Sequence, residues 1–214
     1  MKKDAMVPEF TMIVADPLRH RSRPCHDTWL NYGEARNAIM TVVETERLII
    51  RHLVPADLDD LARIQSDPEV MHYFATGVRA LDQTAADIAR CQSLQDEYGY
   101  SLWATILKQN GQFLGRCGLL PQEINGQREV EIAYLIARSH WGQGLATEAA
   151  TAIRDLGAQA FHITRFVSII HTQNVASRRV AEKVGMRRER LIQFLDMKCW
   201  LYATGNPLAL APIS

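Results

Sequence analysis

Two glycines separated by one residue mark the segment of the chain best suited to binding chemistry, the run RSHWGQGLA at residues 138–146. A strand pattern leads into this run and a helical pattern leads out of it. Gly142 and Gly144 let the backbone approach a ligand without a side-chain clash. The amides of such a loop at a helix N-terminus suit a phosphate or pyrophosphate. The same spacing also fits a tight turn that holds no ligand.

Two common nucleotide-binding loops are excluded by the letters of this run. A P-loop requires Gly-Lys-Ser/Thr, but Gln143 and Leu145 flank the second glycine. A dinucleotide fingerprint requires a third Gly or Ala three residues after the second glycine, and Thr147 stands there. Both of these loops also require an early βαβ unit, whereas a hairpin meander is predicted before this loop.

Three polar side chains near this loop are candidates for chemistry. Asn174 directly precedes a predicted helix, where it is a good N-cap, and Ser177 follows on the first turn. Glu131 alternates with Val130 and Ile132, so on a strand it points to the opposite face from them. The alternatives are a structural cap for the first pair, and a surface or ion-paired carboxylate for Glu131.

Periodicity and turn residues predict the elements that position these side chains. Asn-Gly pairs predict a hairpin around residues 109–111 and a further turn at 125–126. Asp57 is expected to cap the first helix, which ends at Asp67-Pro68, and Gly99 closes the second. The predicted strands are 48–50, 101–108, 112–120, 130–137, 165–171 and 194–203, and the helices are 57–66, 82–97, 146–161 and 175–185. This order predicts an α/β fold of the α+β type, with a mixed, mostly antiparallel sheet flanked by helices.

Composition and charge bound the domain organisation and the partners. The chain has 214 residues and a net charge of zero, which argues against a nucleic-acid or acidic-membrane partner. Four scattered cysteines without metal-ligand spacing predict no metal site and fit a reducing cytoplasm. Residues 1–40 lack a sustained period and are expected to be an N-terminal extension, with Met40 as a possible translation start. The domain is expected over residues 41–205, with a tail at 206–214.

Three blocks of sequence resemble the GNAT acetyltransferase superfamily, and within it the RimJ/RimL-like subgroup. They are EIAY at residues 131–134, RSHWGQGLATEAA from 138 and NVASRRVAEKVGM at 174–186. The opening ETERLIIRHLVPAD at 44–57 and the hairpin with Trp103 and FLGRCGL resemble the subgroup as well. The similarity covers residues 41–203. The family often has Gln or Arg three residues before the first loop glycine, where this chain has Ser139.

The resemblance implies a twisted sheet with splayed central strands and a site for acetyl-CoA as co-substrate. The expected cofactor-binding residues are Leu135, Ile136 and Ala137 for the pantetheine arm, Trp141, Gly142, Gln143, Gly144, Leu145 and Ala146 for the pyrophosphate, and Asn174 for pantetheine. Glu131 is the expected general base. The hydroxyl of Ser177 is expected to hydrogen-bond the departing thiolate, and residues 72–74 to border the acceptor site.

The implied reaction is direct attack of a primary amine on acetyl-CoA in a ternary complex, without a metal or a covalent intermediate. The amine is a protein N-terminus or a small molecule such as an antibiotic or polyamine. A non-catalytic acyl-CoA-binding sensor or scaffold is the alternative from another functional class. The sequence leaves open the acceptor and the choice between monomer and homodimer.

Overall fold

A computed structural model describes residues 40–205 of the chain. The predictions for the N-terminal extension and for the tail at 206–214 lie outside the described residues, apart from Met40. The strands are β1 (Thr41–Glu44), β2 (Leu48–Arg51), β3 (Leu102–Leu107), β4 (Phe113–Ile124), β5 (Gln127–Ile136), β6 (Val167–His171), β7 (Arg187–Phe194) and β8 (Met197–Ala203). The helices are α1 (Leu58–Gln65), α2 (Pro68–Met71), α3 (Leu81–Tyr98), α4 (Leu145–Ala160) and α5 (Val175–Lys183).

The eight described strands form one sheet in the order β1-β2-β3-β4-β5-β6-β8-β7. Every neighbouring pair is antiparallel except β5 and β6, which are parallel. The parallel pair follows from the crossover through α4, because parallel neighbours need a long connection. The predicted mixed, mostly antiparallel sheet flanked by helices is confirmed.

Helices cover both faces of this sheet, and β5 lies between the two cores. Ile132 and Ile136 pack into the cluster that holds α4 and α5, together with Leu145 and Ile153. Leu135 packs into the opposite cluster, which holds α1 and α3. The two-residue period of β5 therefore sends alternate side chains into two different environments.

Several local expectations agree with the structure and one does not. Gly99 ends α3 in the left-handed conformation with φ of 77°, as its position predicted. Trp103 is buried, and its indole donates to Gln95 Oε1 over 2.9 Å. Asp57 precedes α1 but makes no side-chain cap there. Its carboxylate instead accepts from Val54 N and pairs with Arg51, so it closes the preceding turn.

The last antiparallel pair was only half predicted. The predicted elements include only the strand at 194–203 and leave out the basic run of Arg187, Arg188 and Arg190, which is typical of a solvated edge. They open β7, an edge strand that pairs along its length with β8. Arg188 lies over the ring of Trp200 at 4.6 Å. Charged residues on an edge strand oppose pairing with other chains, which explains why the strand reads as a solvated surface.

Candidate functional site

The loop between β5 and α4 has the strand–turn–helix form expected of an anion site. Gly142 and Gly144 have φ of 76° and 78°, a region in which a side chain is strained. A Cβ added at Gly142 would meet nothing within 4 Å. Its requirement for glycine therefore comes from the backbone conformation and not from crowding.

The amides of this loop are open. Within residues 40–205, the backbone N–H groups of Gly142, Gln143, Gly144, Leu145 and Ala146 have no hydrogen-bond acceptor. The first amides of a helix lack partners inside the helix, and the helix dipole adds partial positive charge there. Leu145 is buried in the core and fixes the start of α4. The arrangement can hold a pyrophosphate.

A contact that sequence reasoning missed holds this loop from outside. Arg47, on the turn between β1 and β2, donates from Nη1 to the carbonyl oxygen of Gln143 over 2.9 Å. Its Nε donates to Glu148 Oε2 over 2.6 Å. The sequence held one indication of this contact, Glu148 in the first turn of α4. A carboxylate next to an anion site needs a nearby cation to compensate its charge.

The sheet splits open between β5 and β6 beside this loop. The two strands share one register pair, Glu131 with Val167. Ser168 Oγ donates to the carbonyl oxygen of Ile132 over 2.8 Å and closes the narrow end of the split. The expected splayed central strands are therefore present, and the split leads toward the glycine loop at the end of β5.

Below the split, a buried ion-pair group links the strands on both sides. Arg165 contacts Glu129 on β5 from Nε over 3.1 Å and Glu189 on β7 from Nη1 over 2.8 Å. The three side chains are each less than 14% exposed. The strand predicted over 130–137 leaves Glu129 outside it, but β5 begins at Gln127 and includes this residue.

Glu131 lies at the root of the split and is buried, with 9% exposure. Its Oε1 accepts from the Ile169 amide over 3.2 Å and its Oε2 from Gln122 Nε2 over 2.7 Å. No described cation pairs with it. Burial raises its pKa to about 7, against a smaller lowering by these two hydrogen bonds. The alternative of a surface or ion-paired carboxylate does not describe this residue.

Asn174 and Ser177 lie on the other side of the sheet from Glu131, at the start of α5. Asn174 Oδ1 accepts from the Ser177 amide over 3.0 Å, so the predicted N-cap is confirmed. The Asn174 Nδ2 and the Ser177 Oγ have no partner within the described part of the chain. Both groups therefore remain available to a ligand.

Tyr134 is a residue of this region that sequence reasoning did not single out. It shares a sheet face with Ile132 and Ile136, and its hydroxyl donates to the Ser177 carbonyl oxygen over 3.1 Å. Burial raises the pKa of Tyr134 well above its usual range. In the sequence, its alternation with those two isoleucines indicated that Tyr134 shares their buried face of the strand. A hydroxyl in this state positions α5 against β5.

The backbone of residues 135–137, which is expected to contact the pantetheine arm, already makes some hydrogen bonds within the protein. Leu135 and Ile136 are buried, and the Ala137 amide donates to Leu114 O over 2.8 Å. The Ile136 carbonyl oxygen accepts from the Trp141 indole over 2.8 Å. Trp141 is 49% exposed, so one side of its ring faces solvent beside the end of β5.

Aromatic side chains pack against the end of β6 on the face of α1 and α3. Tyr73, from the segment after α2, stacks on His171 at the end of β6 with ring centroids 5.1 Å apart. His72 contacts Tyr73 edge-on at 4.6 Å. His171 Nδ1 accepts from the Gln173 amide over 3.3 Å. These rings form one wall of the opening on the side of Glu131.

Residues 40–205 contain no group of three His, Cys, Asp or Glu side chains that could hold a metal ion. Their helices include none that is long and apolar enough to cross a membrane.

Comparison with known proteins gives a family and several relatives. The family model "Acetyltransferase (GNAT) domain" matches residues 47–187. An uncharacterized protein, YkkB of Bacillus subtilis, is 38% identical over 154 residues, which cover 72% of this chain and 89% of YkkB. An uncharacterized N-acetyltransferase, p20 of Bacillus licheniformis, is 30% identical and covers 72% of this chain and 86% of its own length.

Solved structures share the fold. An acetyltransferase from Agrobacterium tumefaciens superposes with a TM-score of 0.68 at 25% identity, over 79% of this chain and 96% of that one. RimJ of Mycobacterium smegmatis, bound to a CoA disulfide, superposes with a TM-score of 0.64 at 21% identity, over 77% of this chain and 84% of that one. An aminoglycoside acetyltransferase, AAC(6')-Ib bound to coenzyme A, superposes with a TM-score of 0.63 at 16% identity, over 73% of this chain and 94% of that one. The last two are equally similar, so the fold does not distinguish between acceptor classes.

Proposed function

The chain belongs to the GNAT acetyltransferase family, and on that premise we propose that it transfers an acetyl group from acetyl-CoA to a primary amine by direct attack in a ternary complex. The observation that carries this proposal is the open-amide loop at Gly142–Ala146, placed beside the split between β5 and β6. CoA is long enough to need both features, an anion site for its pyrophosphate and a groove for its arm.

The proposed placement of acetyl-CoA follows from these two features. The pyrophosphate lies on the amides from Gly142 to Ala146, at the positive end of α4. The pantetheine arm enters the split along residues 135–137, where Trp141 gives up the Ile136 carbonyl or packs over the arm. Asn174 offers its Nδ2 to the arm while its Oδ1 caps α5.

Glu131 is the proposed general base. In the reaction the amine nitrogen forms a bond to the acetyl carbon, the carbon–sulfur bond breaks, and the ammonium proton goes to a base. A carboxyl group with a pKa of about 7 is half ionised at neutral pH, which suits both taking up and releasing a proton. Glu131 lies on the sheet face that Tyr73 and His171 wall off. That face is the proposed entry for the amine.

Ser177 is the proposed partner of the departing thiolate. It lies on the opposite face, across the split from Glu131, so base and thiolate partner meet the thioester from two sides. Tyr134 is less suited to this role, because its hydroxyl already donates to the Ser177 carbonyl oxygen. A serine is a weak acid, and a hydrogen bond to the thiolate is the role we assign to it.

Cys117 supports direct attack over an acetyl-cysteine intermediate. It is fully buried in β4, and burial raises the pKa of its thiol to about 12. The thiolate is the nucleophilic form, so this thiol is unreactive at neutral pH. Cys91 and Cys199 are also free and buried, which supports the proposed cytoplasmic location.

We propose an acceptor of the RimJ/RimL type, a protein N-terminus, with a small-molecule amine as the second candidate. The matching sequence blocks support the first, and the similarity to both RimJ and AAC(6')-Ib leaves the second in place. The proposed assembly is a monomer or a homodimer.

The test measures CoA-thiol release from acetyl-CoA with peptides bearing free N-termini, polyamines and aminoglycosides. Release with peptides alone supports the first acceptor class. Glu131→Gln and Ser177→Ala are then compared with Glu123→Gln, an exposed carboxylate on β4. Tight binding of acetyl-CoA without release for any acceptor favours a non-catalytic sensor, and absence of binding contradicts the proposal.

A further inference from the structure

We infer that Arg47, on the turn between β1 and β2, is a positioning residue that orients the glycine loop for the pyrophosphate of CoA. The inference rests on the proposed function and extends the site to a segment about 95 residues earlier in the chain. It is carried by three contacts of Arg47 and by the geometry of one peptide bond.

The turn that carries Arg47 is firmly held. The Thr45 amide donates to the Leu48 carbonyl oxygen over 2.9 Å and closes the turn. The Lys108 amide donates to the Arg47 carbonyl oxygen over 2.9 Å, and Lys108 Nζ donates to Thr45 O over 2.6 Å. Leu48 itself is fully buried. Arg47 therefore projects from a fixed part of the sheet.

Inside the loop that Arg47 contacts, Gln143 Nε2 donates to the Ser139 carbonyl oxygen over 3.3 Å. Gln143 is exposed and lies between two glycines, the residues with the greatest backbone freedom. Arg47 Nη1 fixes the Gln143 carbonyl oxygen at 2.9 Å. A Cβ added to Gly144 would lie 3.6 Å from Arg47 Nη2, so the guanidinium group covers that side of the loop.

Fixing this carbonyl also fixes an amide. A peptide bond is planar and trans, so the N–H of Gly144 points away from the carbonyl oxygen of Gln143. Because that oxygen faces Arg47, the Gly144 amide faces the other side of the loop. No described residue accepts its hydrogen bond. Arg47 thereby directs a donor toward the position proposed for the pyrophosphate.

Arg47 also compensates a charge that opposes anion binding. Glu148 lies in the first turn of α4, within reach of the loop. Arg47 binds this carboxylate through both its Nε, at 2.6 Å, and its backbone amide, at 2.8 Å. Burial favours a higher pKa for Glu148, but the hydrogen bonds from Thr45 and Arg47 outweigh it and lower the pKa. The carboxylate is thus ionised and paired.

The experiment measures ligand binding to the full chain and needs no acceptor. CoA and 3′-dephospho-CoA are titrated by calorimetry, and pantetheine, which lacks the pyrophosphate, is followed by ligand-observed NMR. Arg47→Gln is compared with wild type and with Arg63→Gln, a matched loss of an exposed arginine paired with Asp60. We expect Arg47→Gln to weaken both nucleotides about 10-fold or more and to leave pantetheine unchanged. We expect Arg63→Gln to bind all three as wild type does.

The outcomes separate this inference from the proposed function. If wild type does not bind CoA, the proposed function fails. If wild type binds CoA and Arg47→Gln binds it within twofold, the inference is overturned. It is also overturned if the variant loses pantetheine and nucleotides equally and its melting temperature falls, because Arg47 then serves the fold. A shifted Gly144 amide resonance in the ligand-free variant would support the inference directly.

Discussion

Replacing Glu131 by Gln tests the general-base proposal at one atom. The amide has nearly the same shape and can still accept from the Ile169 amide, so the split should remain closed at its root. It cannot take up a proton. Loss of a positioned base typically lowers the rate 10²- to 10⁴-fold, and we expect about 10²-fold with an α-amine acceptor. The lower figure applies because such an amine, with a pKa of about 7.7–8.0, is roughly one-tenth neutral at pH 7.

The pH profile is the sharper measurement. With the pKa of Glu131 at about 7, its protonation alone should lower kcat/KM of wild type about tenfold for each pH unit below 6, in addition to the fall caused by protonation of the acceptor. That limb should disappear in Glu131→Gln and leave only the ionisation of the acceptor. Two acceptor amines of different pKa separate the limbs, because the Glu131 limb must not move with the acceptor. Persistence of a limb near pH 7 in the variant, with either amine, would refute the assignment.

Three further outcomes follow from the structure. Because burial raises the pKa of Glu131 from 4.5 to about 7, its contribution to stability is present below pH 4.5 and lost as the pH rises through 7. Urea unfolding should therefore show that, between pH 5 and 8, the free energy of unfolding of Glu131→Gln rises relative to that of wild type by on the order of 3 kcal/mol. If the two free energies change in parallel with pH, this prediction is contradicted. Gly142→Ala should weaken CoA binding about tenfold through backbone strain, measured by calorimetry, whereas Gly126→Ala, with φ of 78° and equally open space, should not. Arg165→Met leaves the buried carboxylates of Glu129 and Glu189 without their cation and should lower the free energy of unfolding by about 3–5 kcal/mol. The melting temperature should then fall by on the order of 10 °C, and Arg63→Met is the exposed control. A loss under about 1 kcal/mol would show that this ion-pair group does not hold the split.

The features that the sequence predicted well are those specified by neighbouring residues. A glycine loop between a strand and a helix, an Asn-Gly hairpin and an Asn174 cap each depend on a few consecutive side chains. The alternation along β5 also assigned Glu131 correctly to the face opposite Ile132. Local chemistry fixed these features, and the fold had little freedom to change them.

The features that were missed depend on distant pairs. Arg47 reaches Gln143 across 96 positions, and Glu131 meets Ile169 across 38. Sequence periodicity carries no record of such partners. β7 was missed for another reason, because its first residues are charged and its outer edge is open, so it lacks the apolar pattern of a central strand.

The split between β5 and β6 creates an open strand edge in the middle of the sheet. Unpaired edges normally invite other chains and promote aggregation. Here the strands on both sides of the open edge are joined below it by the ion pairs of Arg165 with Glu129 and Glu189. The proposed occupant of this edge is one narrow, amide-bearing chain, the pantetheine arm. A ligand that binds only the folded state raises its stability, so on the proposed function the supply of CoA in the cell would govern how long this protein survives proteolysis.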